Sequence, residues 1–278
     1  MPTRDEAVPM LVDGEHLDGT LIAPSTRMPA FLFVHGWGGS QEQYLARARE
    51  IAALGCICLT FDLRGHANST PERADVTPDD NLRDVLAAYD ALVRQRFVDP
   101  DAIGLVGSSY GGFLAARVTA LRPVRWLALR VPALYRNEDW SHPKRGLDRE
   151  ALSRYRRRPL RPDENRVLGA AERFAGDVLI VESEHDSIVP HETVASWLGA
   201  FRRARSLTHR VIEGADHGLS DPASQQSYTK LLVHWTTEMV TGERRTIEAG
   251  RRRGAPDIRG EKTPTASVED AIEELVSP

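Results

Sequence analysis

Cysteine is nearly missing from this chain: its 278 residues include only Cys56 and Cys58. Two thiols two positions apart in a strand-like run share one sheet face, which reads as small buried apolar side chains rather than a disulfide framework or a metal site. Long apolar runs are missing as well. With no stretch of about 18 apolar residues, a membrane span is not expected. Met1 to Leu11 carries Pro2, Asp5, Glu6 and Pro9 in place of the apolar centre of a secretory leader, so the expectation is a cytoplasmic protein. His185 and His191 have no partners at metal-ligand spacing, and neither a metal nor a cofactor is expected. No internal repeat stands out. The net charge of -4, with the basic residues concentrated locally, argues against a nucleic-acid partner. What remains is a 41% hydrophobic chain, ample for one large core over residues 1–240.

Along that core the pattern alternates between periods of two and 3.6. Strands are expected at His16 to Ala23, Ala30 to Val34, Cys56 to Phe61, Ala102 to Gly107, Val124 to Val131, Asp177 to Glu182 and Leu207 to Glu213. Helices are expected from Ser40, as N-cap, to about Leu54, and over Asp79 to Arg96, Glu192 to Arg203 and Pro222 to Val240. Continuous apolar strands joined by helices imply an α/β fold, its mostly parallel central sheet covered by helices on both faces. Such a sheet gathers its ligand site at the carboxyl ends of the strands.

The loops at those ends carry the chemistry. Gly107-Ser108-Ser109-Tyr110-Gly111 follows an apolar strand and precedes a helix, the context of a GxSxG nucleophile elbow. Ser109 has a glycine two positions away on each side. Ser108 lacks that flanking and is expected to point into the fold. Asp186 follows the strand Val178 to Glu182, and His217 follows the last strand in Gly214-Ala215-Asp216-His217-Gly218, where Asp216 reads as a turn residue. The glycine-rich His35-Gly36-Trp37-Gly38-Gly39 follows the strand ending at Val34. Glu184 is an alternative acid in the same loop as Asp186. His35 and His66 are expected to hold loop backbone, and Asp62 and Arg64 to form a buried pair.

HGWGG, FDLRGHANS, GSSYGG, and EHDSIVP followed by GADHGLS stand in this order, and over residues 15 to 240 the chain resembles the α/β hydrolases with a serine nucleophile. The dienelactone-hydrolase-like and acyl-esterase branches are nearest. The resemblance implies Ser109 as nucleophile, His217 as general base and Asp186 as the carboxylate that orients it. It further implies an oxyanion hole made by the backbone N–H groups of Trp37 and Tyr110. Dienelactone hydrolases proper carry cysteine where this chain has Ser109, which points away from their substrate. The implied function is hydrolysis of a small-molecule carboxylic ester through an acyl-enzyme. A small-peptide or amide hydrolase and a catalytically silent binding protein are the alternatives.

A short cap insertion, residues 132–166, interrupts the alternation. It holds Tyr135, Trp140 and Tyr155 with the basic run Arg154 to Arg161. One reading is a solvated cap whose arginines pair with nearby acids; the other has Trp37, Tyr135, Trp140 and Arg156 contacting substrate, with arginine taking a carboxylate. Residues 241–264 are rich in charge, glycine and proline and are expected to be extended or disordered, while 268–276 has the apolar spacing of one short helix that would dock on this subunit or a neighbour, as in a homo-oligomer.

Overall fold

The computed structural model describes residues 3–12, 15–24, 27–67 and 75–254. The chain divides at Val240 into two units, Met1–Val240 and Thr241–Pro278. In the first unit β1 (Thr3–Val12) and β2 (Glu15–Pro24) pair antiparallel as a two-stranded sheet. The early strand expected from His16 is β2; β1 was not anticipated.

The main sheet holds β3 (Met28–Val34), β4 (Ile57–Thr60), β5 (Val98–Ser108), β6 (Trp126–Arg130), β7 (Asp177–His185) and β8 (Ser206–Asp216). Their order is β4-β3-β5-β6-β7-β8, with every neighbouring pair parallel. Side-chain alternation divides the strands between two cores. Ala30, Leu32 and Val34 with Leu127, Leu129, Val178 and Ile180 face one side; Phe31 and Phe33 with Trp126, Ala128, Leu179 and Val181 face the other. The first core is closed by α2 (Pro78–Val93), α3 (Tyr110–Val118), α5 (Arg166–Arg173) and α6 (His191–Ala200). The second is closed by Tyr44, Ala48 and Ile51 of α1 (Glu42–Ala53) and by Tyr228, Leu232 and Trp235 of α7 (Pro222–Gly254). This is the α/β hydrolase arrangement the motifs implied.

Local chemistry starts these helices. Thr77 and Asp80 close a capping box with Pro78 just inside α2, and Asn165 accepts from the Val167 and Leu168 N–H groups that open α5. At α1 the expectation fails. The N-cap is Gln41, not Ser40, and the capping carboxylate comes from Asp62, which accepts from the Gln41 N–H and from Gln41 Nε2, each at 2.8 Å. A carboxylate at a helix N-terminus meets unpaired N–H groups and the positive end of the dipole, so Asp62 serves α1 and not Arg64. Arg64 turns instead to Asp84 of α2, donating through Nε at 2.6 Å and through its own backbone N–H at 3.0 Å.

Both thiols are free; Cys56 is buried, and burial pushes the Cys58 thiol up to about 12, with Cys56 adding to the effect. Between β6 and β7 lie two short 3-10 turns, Asn137–Ser141 and Lys144–Gly146, and α4 (Arg149–Arg156) before α5 begins. The segment expected to be extended or disordered from Thr241 is helical as far as Gly254, because Glu, Arg and Ala are good helix formers there. The short helix expected at 268–276 lies outside the described residues. Among the described residues no helix is long and apolar enough to cross a membrane.

Candidate active site

The strand-to-helix turn at Ser109 has almost no space in it. A Cβ at Gly107 would stand 2.6 Å from the Gly111 carbonyl oxygen, and one at Gly111 would stand 2.1 Å from the carbonyl oxygen of Val34. Only glycine lets these backbones meet, so β5, α3 and the loop after β3 lock together at this point. Ser109 takes φ 52°, ψ -116°, a conformation that costs a non-glycine residue about 1–3 kcal/mol. Its backbone is held in return: Ser109 N–H donates to Arg130 O at 2.8 Å, and Ser109 O accepts from Phe113 at 3.1 Å and Ala133 at 3.0 Å. Ser109 is the N-cap of α3, yet its side chain makes no capping bond. Its hydroxyl goes to His217, with Oγ 3.1 Å from Nε2.

From His217 the chain of contacts continues. Nδ1 lies 2.7 Å from Asp186 Oδ2, and Asp186 Oδ1 accepts from the Ile188 and Val189 N–H groups, both at 2.8 Å. The Asp186 side chain is only 3% exposed, whereas that of His217 is 18% exposed and opens toward the cavities. With its proton on Nδ1 facing Asp186, the imidazole presents a lone pair to the Ser109 hydroxyl. Such a chain can take the hydroxyl proton as the oxygen attacks a carbonyl and hold the imidazolium against a buried carboxylate. Glu184, the alternative acid, turns away and accepts from Gly214 N–H at 2.7 Å.

The loop after β3 is folded as a turn closed by Gly39 N–H to Gly36 O at 3.0 Å, with Trp37 inside it. His35 is fully buried, donating from Nδ1 to Gly36 O at 2.8 Å and accepting Leu63 N–H on Nε2 at 3.0 Å. Burial holds its pKa below the ordinary value, so it is neutral backbone scaffolding. Trp37 meets Tyr110 and His66 edge-on at 5.3 and 4.8 Å, and Tyr110 anchors its hydroxyl on Asn81 of α2 at 3.0 Å. Tyr110 also heads α3, where an N–H has no intrahelical acceptor.

Two cavities open on Ser109, and Trp37 and His217 line both. The larger, about 630 Å³, runs under the cap past Tyr135, Lys144, Leu147, Arg156 and Ile188. The Lys144 ammonium hydrogen-bonds Tyr135 Oη at 2.6 Å and sits over the Trp37 ring, 4.0 Å from its centroid. Burial alone would raise the Tyr135 phenol, but Lys144 and Arg156 outweigh it and hold the group below its ordinary pKa. Arg156 is buried, donating to Leu134 O at 2.9 Å. Trp140 departs from expectation: it is packed in the core against Phe113, ring centroids 4.9 Å apart, and lines neither cavity. The apolar demand of that core outcompeted the pocket for its indole. Most cap arginines pair with acids as expected, Arg136 with Asp139 and Arg158 with Glu164 both at 2.8 Å.

The smaller cavity, about 310 Å³, brings in residues the sequence reading did not single out, notably Arg47, Arg130 and Tyr228. Ser108 faces it too, accepting from Arg130 Nε at 3.3 Å. The only advance signal was an arginine closing the otherwise apolar strand Trp126 to Arg130.

Residues 41–243 match the prolyl oligopeptidase family. The chain belongs to that family. Membership of the prolyl oligopeptidase family places it in the α/β hydrolase superfamily. Among characterised relatives, the thiohydrolase aneE of Aspergillus aculeatus is 33% identical over 115 residues, which is 41% of this chain and 36% of that protein. The chain thus spans about a third of that relative's length. An uncharacterized protein of Mycobacterium tuberculosis is 27% identical over 226 residues, 80% of this chain and 74% of its own. In structure, a monoacylglycerol lipase of Paleococcus ferrophilus shares 86% of this chain and 99% of its own at TM-score 0.58 and 17% identity. Est1E of Butyrivibrio proteoclasticus, solved with ferulic acid, gives TM-score 0.58 and 18% identity over 86% of this chain and 95% of its own. At these identities the structural likenesses speak to the fold alone.

Proposed function

We propose that this chain hydrolyses a small carboxylic ester through an acyl-enzyme, with Ser109 as nucleophile, His217 as general base and Asp186 as its orienting carboxylate. The observation that carries the reading is the unbroken path from Ser109 Oγ through His217 to Asp186, at 3.1 and 2.7 Å. In this reading His217 takes the Ser109 proton as Oγ bonds to the ester carbonyl, then returns it to the alkoxide leaving group. Water repeats the sequence on the acyl-enzyme and restores the serine. The N–H groups of Trp37 and Tyr110 receive the charge on the carbonyl oxygen, each donor being worth about 3 kcal/mol in comparable sites. The cavity under the cap takes the acyl chain, with Trp37, Tyr135 and Arg156 as its walls.

Membership of the prolyl oligopeptidase family supports a second reading, cleavage of a short peptide or amide by the same residues. The partial likeness to a thiohydrolase brings thioesters within the same chemistry. Turnover of short 4-nitrophenyl esters set against peptide 4-nitroanilides and acyl thioesters, each with a Ser109→Ala control, separates these. Esters turned over fastest support the proposal. Nitroanilides turned over faster replace it with the peptidase. No turnover, and no labelling of Ser109 by a fluorophosphonate, would leave a silent binding protein.

A further inference from the structure

Arg130 ends β6 in an unusual position for a guanidinium. It is 7% exposed, and its hydrogen bonds to described residues all go to neutral oxygens: Ser108 Oγ at 3.3 Å, Ser183 Oγ at 3.4 Å and the His217 carbonyl at 2.9 Å. Among the described residues no carboxylate forms an ion pair with it. The contrast with other arginines is plain: Arg64, Arg122, Arg136 and Arg205 each grip an aspartate. An unpaired buried cation is strongly unfavourable, and two long bonds to hydroxyls compensate it poorly.

A second guanidinium shares the cavity. Arg47 of α1 spends Nη1 on Gln43 O at 2.6 Å, while its Nε is shielded from solvent and makes no hydrogen bond among the described residues. Both cations lie over the Tyr228 ring, Arg47 at 5.0 Å and Arg130 at 5.7 Å from its centroid. The ring's electrons offset part of their mutual repulsion, and an anion between them would remove the rest. None of the described residues lining this cavity of about 310 Å³ carries a negative charge, and Ser109 forms part of its wall. Tyr228, whose phenol burial pushes up to about 12, stays protonated as a further donor.

We propose that Arg130 and Arg47 form an anion-binding subsite beside Ser109, which takes a carboxylate carried by the substrate. The inference rests on the ester reading for its substrate and deepens it: the enzyme would prefer esters of a diacid or of a carboxylate-bearing alcohol. The competing view makes Arg130 a strut that merely steadies the His217 loop through the carbonyl. A strut acts equally on charged and neutral substrates; a binding subsite does not.

The test uses the full chain, two pairs of esters and three variants. Phenyl 4-carboxylate acetate (4-acetoxybenzoate) against phenyl acetate places the charge in the alcohol half, and monophenyl adipate against phenyl hexanoate places it in the acyl half. In one half, the ratio of kcat/KM for charged over neutral ester should fall at least about tenfold in both Arg130→Gln and Arg47→Gln, carried by KM. Ratios unchanged in both halves overturn the proposal, as does a uniform loss on charged and neutral esters. A fall confined to Arg156→Gln also overturns it, by moving the carboxylate to the cap. Should Arg130→Gln fail to fold by circular dichroism, Arg47→Gln decides alone. If the wild type turns over no ester, the ester reading has failed separately. Calorimetric titration with benzoate and adipate then reads the subsite directly: affinity at least about tenfold weaker in Arg47→Gln supports it, and no binding or equal binding rejects it.

Discussion

Around Ser109 the backbone has no slack, with carbonyl oxygens 2.6 and 2.1 Å from where methyl groups on Gly107 and Gly111 would stand. In the cap, only a short way along the chain, the bonds are of another kind: exposed pairs such as Arg154 with Glu150 at 3.6 Å and Arg161 with Asp163 at 2.8 Å. The turn is specified by steric exclusion, which tolerates nothing. The cap is specified by solvated charge, where each pair contributes little and many sequences would serve. The difference predicts that the two regions respond to mutation on separate scales.

The sharpest contrast is in rate. Ser109→Ala should lower ester turnover about ten-thousandfold or more, and Asp186→Asn about as much by releasing the imidazole from its working tautomer, as in other serine hydrolases. Steady-state assays on 4-nitrophenyl acetate check both, and a loss below tenfold in either would break the proposed assignment. Next comes packing at the turn. Gly111→Ala should destabilise the fold by about 4 kcal/mol or prevent it from forming, read by urea unfolding. Within the cap, the single buried arginine should stand apart from its neighbours. Arg156→Ala strands the carbonyl of Leu134 and should cost about 2 kcal/mol, whereas Arg154→Ala should change stability by less than about 0.5 kcal/mol.

The smallest effect depends on pH. The hydrogen bond that His191 Nδ1 donates to the Glu182 carboxylate, reinforced by that group's charge, raises the His191 pKa above its ordinary value. The folded state therefore binds that proton more tightly than the unfolded chain. The stabilisation is fully present below the unfolded value and fades as pH rises through the folded one. Its size is a few tenths of a kcal/mol, since the imidazole is 70% exposed and screened. Thermal melts of wild type and His191→Ala should differ most at pH 5.5 and draw together as pH rises; divergence that grows with pH would reverse the assignment.

What could be read from the chain alone was whatever is encoded locally. Ser109 between Gly107 and Gly111, after an apolar strand, announces its own turn, and the residues just past β7 and β8 lie where a parallel sheet collects them. Pairings across elements were not legible. Asp62 and Arg64 are two apart and opposite in charge, yet one serves the start of α1 and the other reaches Asp84, because helix ends compete for carboxylates. Trp140 looked like a cap aromatic and is core, since the exposure of an indole depends on what α3 presents to it. Arg130 and Arg47 lie on different elements and meet only through the sheet, so no spacing in the chain brings them together. The helical run beyond Val240 was obscured by glycine and charge, although its Glu, Arg and Ala content favours helix.

Because Gly111 presses directly on the carbonyls of Val34 and His35, the turn bearing Ser109 and the loop bearing Trp37 form one rigid casting. Laboratory selection for a new substrate would find no useful variation there. Its successes would collect in the cap and on α1 and α7, leaving the proposed Ser109, His217 and Asp186 untouched while the preferences of the proposed ester hydrolase diverge.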